Sequence, residues 1–81
     1  MKYTNLRTKT VFDFCKDASL LQEITECSGK AEYLEMVKDN PVERARSFMD
    51  LAERTKDKEL EKAVSREFKK ELQTYGAQFN E

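Results

Sequence analysis

Asp13 and Asp17 stand at positions i and i+4, a spacing that puts two carboxylates on one face of a helix. Carboxylates held that close can share a proton or bind a divalent cation. Both also fall in the first two turns of a segment that Thr10 can cap, where negative charge complements the helix dipole. Arg44, Arg46 or Arg54 can pair with them at a packing edge. The structural role is the expectation, and no catalytic or metal-ligating residue is assigned.

Other routes to chemistry are poorly supplied. The sequence has no His, the commonest general base and metal ligand. Ser19, Ser28, Ser47 and Ser65 lie in no motif with an activating partner. Two isolated glycines, Gly29 and Gly76, cannot build a phosphate loop. Cys15 and Cys27 on one continuous helix would be about 18 Å apart, too far for a disulfide. The pair reads as two small buried residues in a reducing compartment. Neither an enzyme nor a cofactor is expected.

A charged surface is the stronger signal. On a helix running from Lys58 to Tyr75, Lys58, Lys62, Arg66, Lys69 and Lys70 fall within about a third of the circumference. That arc lies opposite the apolar stripe of Leu60, Val64, Phe68, Leu72 and Tyr75. Glu61, Glu67 and Glu71 border the stripe, as charges do at a helix–helix seam, so a homo-oligomer is one expectation. The basic ridge, with an N-terminal arm carrying Lys2, Arg7 and Lys9, could meet phosphates or an acidic protein surface. No aromatic interleaves it, so base stacking is not offered. The chain as a whole has net charge −1 and pI about 5.6, low for a nucleic-acid module. A helix-turn-helix reading of the joint before Pro41 is weaker. It would offer Val42, Glu43, Arg44 and Arg46 to a groove, and phosphates would repel Glu43. Met36, Met49, Phe48 and Tyr33 fall on core stripes and read as packing.

The elements that must position these residues can be read from periodicity and caps. Eighty-one residues, 38% of them hydrophobic, allow one modest core. Lys and Arg number 15 against 16 Asp and Glu, a near-balance that argues against charge-driven disorder. Residues 1–10 form a basic arm, frayed or docked. Residues 11–76 form one helical domain, and 77–81 a tail. The first helix is expected over Val11–Glu26, capped by Thr10 with Asp13 and apolar over most of its surface, hence central. The second spans about Lys30–Asp39, with Tyr33, Leu34, Met36 and Val37 on its apolar side. Asn40-Pro41-Val42-Glu43 then marks a helix start, with Asn40 as cap, Pro41 at N1 and Glu43 able to reach back. That third helix continues to about Thr55 and buries Val42, Ala45, Phe48, Met49 and Ala52. Asp57 caps the fourth, which Gly76 closes.

The expected fold is therefore all-α, a compact bundle of four helices with short joints and helix 1 central. No apolar run reaches the roughly 18–20 residues of a membrane span, and a cytoplasmic location is expected. The expected function is a non-enzymatic protein-interaction module, an adaptor or inhibitor. The alternative is a nucleic-acid binder using the ridge and the arm.

Overall fold

Val11-Phe12-Asp13-Phe14 does not open a long helix. In the computed structural model, which describes residues 3–25 and 29–79 (backbone only from 75), Val11–Asp13 is a single 3-10 turn. The Thr10 amide donates to the Asp13 carboxylate at 2.7 Å, and the expected capping box forms on this short turn. The chain then runs irregularly to Asp17, and helix α1 spans only Ala18–Thr25. The reason lies in the two rings. One continuous helix would turn Phe12 to water while Phe14 faced the core. The break lets both pack. Phe12 meets Tyr33 edge-on at 5.3 Å, and Phe14 meets Tyr3 edge-on at 5.1 Å. The expectation of a central first helix is thereby corrected.

Helix α2 spans Lys30–Lys38 and buries Tyr33 and Val37, whereas Leu34 and Met36 are exposed. Helix α3, Pro41–Thr55, takes the central place. It packs against α1, α2, α4 and α5 alike. Its start is the one expected from sequence: the Asn40 side chain accepts from the Glu43 amide at 3.2 Å. Ala45, Phe48, Leu51 and Ala52 are buried, while Val42 and Met49 are half-buried. The small residues at 45 and 52 let neighbouring helices approach the same face that carries Phe48.

The expected fourth helix is two. Helix α4 spans Lys58–Glu67 and α5 spans Lys69–Phe79, interrupted at Phe68 with φ −118° and ψ 43°. Hydrogen bonding persists across the break: the Phe68 amide donates to Val64 O at 2.8 Å, and the Leu72 amide to Phe68 O at 2.9 Å. Neither Gly nor Pro marks it. Phe68 is fully buried, 6.2 Å from the near-parallel Phe48 ring. Burial of a ring this size is worth about 1.5–3 kcal/mol, enough to offset a local kink. Helix α5 continues through Gly76, which therefore does not close it.

The N-terminal segment is docked, with a 3-10 turn at Leu6–Thr8 lying against α4. Tyr3 and Leu6 are buried. Among the described residues every regular element is helical, and no helix is long and apolar enough to cross a membrane.

Candidate functional site

Asp13 and Asp17 do not share a helix face. Each serves a different turn: Asp13 holds the Thr10 amide, and Asp17 Oδ1 accepts from the Leu20 amide at 3.1 Å as the cap of α1. Their expected pairing is replaced by two local caps, because short acids compete for free amides at helix starts. Cys15 precedes α1 as a half-buried free thiol, so the one-helix distance to Cys27 does not apply. Cys27 and Ser28 lie outside the described residues. Among the described residues no three of His, Cys, Asp and Glu converge as a metal site would require.

The basic ridge is exposed but divided. Lys58, Lys62 and Arg66 are on α4, and Lys69 and Lys70 begin α5 beyond the break. Arg66 also turns inward: Nη2 donates to Tyr3 O at 3.4 Å and lies 3.6 Å from Glu67. The helix-turn-helix reading gains no support: α3 packs against four other helices, and Arg44 donates to the carbonyls of Lys9 and Val37.

The sequence did not disclose what the N-terminal segment does. The Tyr3 hydroxyl donates to Asp57 Oδ2 at 2.5 Å. Arg7 forms a bidentate pair with Glu71, both contacts at 2.9 Å, and its guanidinium sits 4.9 Å from the centroid of the Phe68 ring. Of the acids bordering the apolar stripe, Glu71 thus meets the chain's own N-terminal segment. Burial, then the bond to Asp57, pushes the Tyr3 hydroxyl up to about 12. The hydrogen bond from Arg7 is the main cause holding Glu71 below the usual carboxylate range.

Every arginine is engaged within the chain. Arg7 pairs with Glu71, Arg46 with Glu43 at 3.5 Å, Arg54 with Glu23 at 2.7 Å and Arg66 with Glu67, while Arg44 holds two carbonyls. The guanidinium is the group best shaped for bidentate phosphate contact.

Two grooves flank α1. On one side Phe14, Cys15, Leu20 and Leu51 line a groove of about 390 Å³, edged by Lys16, Asp17 and Arg54. On the other, Phe12, Ala18, Leu21 and Thr25 line one of about 310 Å³, edged by Lys30. The Lys30 ammonium stands 5.3 Å from the Phe12 ring centroid. Leu20 and Leu21, adjacent on α1, are each half-buried. Periodicity alone could not find these grooves, because they exist only where the expected first helix is broken.

The sequence matches no family model, no curated protein and no solved structure.

Proposed function

We propose that the chain is a non-enzymatic protein-interaction module, an adaptor or inhibitor that acts by occupying the surface of a larger macromolecule. The observation that carries this reading is α1 with a groove on each side, its Leu20 and Leu21 left half-buried between them. Grooves that combine apolar side chains with charged edges suit the anchor side chains of a protein partner. The exposed Leu34 and Met36 of α2 add apolar surface beyond the grooves. We read α4 and α5 as one rod bent at Phe68, which makes the architecture a bundle of four rods with α3 central. A cytoplasmic setting suits this reading.

A second reading, nucleic-acid binding through Lys58, Lys62, Arg66, Lys69 and Lys70, draws on the exposure of all five side chains. The internal engagement of the arginines and the docked N-terminal segment weigh against it. A photoreactive residue at Leu21, with Lys62 as the control position, separates the two in extracts of the producing cell. One defined protein captured from position 21 and not from 62 supports the interaction module. Nucleic acid captured from position 62, lost between about 50 and 200 mM salt, supports the ridge. Capture of the chain by itself, with a doubled native mass, would make the partner a second copy.

A further inference from the structure

We infer that the pocket at the α2–α3 corner, beneath the N-terminal segment, is a carboxylate-binding site. It has a volume of about 170 Å³ and is lined by Arg7, Val37, Lys38, Pro41, Arg44 and Phe68. Three of these side chains are cationic, and no acid is among the described residues that line it.

The charges are not equivalent. Arg7 is offset by Glu71. Arg44 is held by carbonyls, those of Lys9 and Val37, which fix its guanidinium without cancelling its charge. It is therefore oriented in advance, and orientation in advance reduces the entropy lost when an anion binds. Lys38 adds an exposed ammonium at the C-terminal end of α2. Among the described residues neither Arg44 nor Lys38 forms an ion pair with a carboxylate, and both line a small concavity whose wall, besides the Glu71-paired Arg7, is carbon: Val37, Pro41 and the Phe68 ring.

That mixture selects among anions. A phosphate sets four oxygens around one centre, so some would be turned to the carbon wall and lose water with no donor in return. A carboxylate presents two oxygens to a guanidinium and an aliphatic stem to the wall. The pocket takes a carboxylate whether or not the interaction module holds. Assigning that carboxylate to an acidic side chain of a protein partner rests on that reading.

The test is a titration of the 15N-labelled chain, followed by amide shifts, at constant ionic strength. The probes are acetate, inorganic phosphate, and the peptides acetyl-Leu-Glu-Leu-amide and acetyl-Leu-Gln-Leu-amide. We expect saturable acetate shifts centred on Val37, Lys38 and Arg44. Lys38→Glu should weaken them by about tenfold, the effect of one charge-assisted contact, and Lys62→Glu should not. Lys38 is exposed and forms no ion pair with a described residue, so Lys38→Glu should fold normally, and its amide spectrum checks that directly. Shifts that stay linear, spread over the surface, or weaken equally in Lys62→Glu overturn the site. So does phosphate binding tighter than acetate. Tighter binding of the Glu peptide than of acetate, lost with the Gln peptide, places the source in a protein segment. Equal affinity for acetate and the Glu peptide supports the site with a free carboxylate as its ligand. Failure of the interaction module itself would show separately, as an absence of capture from position 21.

Discussion

The Tyr3 hydroxyl and the Asp57 carboxylate meet at 2.5 Å across 54 positions of sequence. Asp57 serves three elements at once. Its amide donates to Ala52 O at 2.9 Å and closes α3, its Oδ1 caps α4 at the Leu60 amide, and its Oδ2 holds the N-terminal segment. Tyr3→Phe keeps the ring against Phe14 and removes only the hydroxyl. We expect a loss of about 1.5–3 kcal/mol, the range for a hydrogen bond to a charged acceptor. Asp57→Ala should cost roughly 1 kcal/mol more, because the α4 cap goes too. Urea unfolding of both variants checks the order.

The same pair sets an alkaline limit. Tyr3 is raised from 10.0 to about 12 in the folded chain, so the native state keeps a proton that the unfolded state releases. Its contribution to stability is complete below pH 10.0 and is lost as pH rises toward about 12. Unfolding free energy should fall across that window, and Tyr3→Phe should flatten the slope. An unchanged slope in Tyr3→Phe would assign the alkaline loss to other groups.

Lys56 closes α3 with φ 57°, a left-handed conformation usually given to glycine. Its amide donates to Glu53 O at 3.3 Å, and the Asp57 amide reaches Ala52 O. A side chain in that conformation costs roughly 1–2 kcal/mol. Glycine relieves the strain but adds freedom to the unfolded chain. Lys56→Gly should therefore stabilise by about 0.5–1 kcal/mol, seen as a higher urea midpoint with unchanged slope. Asn5, at φ 56°, already has a side chain that tolerates this region, and Asn5→Gly should change little.

What the sequence made legible follows from whether the controlling interaction is local. Asn40, Pro41 and Asp57 act on amides within one turn, and the starts of α3 and α4 fall where those residues predict. The stripe from Leu60 to Phe68 is likewise a matter of period. The two helix breaks are not local. Phe12 leaves the helical path to meet Tyr33, and Phe68 kinks the chain while seated against Phe48, so neither break has a Gly or Pro to announce it. The candidate grooves beside α1 exist because of the first break. The pocket at the α2–α3 corner needs Arg7 and Arg44 brought together over a long separation. Wheel projections of single segments cannot place either.

Arg7 and Glu71 link the N-terminal segment to α5 through two contacts at 2.9 Å. Arg7 is close to half exposed, at 48% of its side chain, so solvent screens the pair. Glu71→Gln should cost only about 0.5–1 kcal/mol, and less at high salt. Because Glu71 is held below the ordinary carboxylate range, the contribution is present above the unfolded value. It is lost as pH falls through the lowered one. Arg7→Lys should cost at least as much as Glu71→Gln, since an ammonium makes neither the two-toothed contact nor the guanidinium's contact over the Phe68 ring. Acid titration of stability in the two variants separates charge from shape.

Charge reversal along the ridge should not be uniform. Lys62 and Lys69 project outward from two different helices, and reversal at either should stay within about 0.5 kcal/mol of the parent. Arg66 donates to the Tyr3 carbonyl and sits beside Glu67. Arg66→Glu removes that donor and sets two carboxylates side by side next to a carbonyl. We expect a further loss of about 0.5–1 kcal/mol at low salt, partly recovered as salt screens the repulsion. Equal small effects at all three positions would mean that Arg66 belongs to the solvated surface with the lysines. A larger, salt-sensitive loss at Arg66 alone ties the middle of the ridge to the docking of the N-terminal segment and leaves only the lysines to meet an anionic partner.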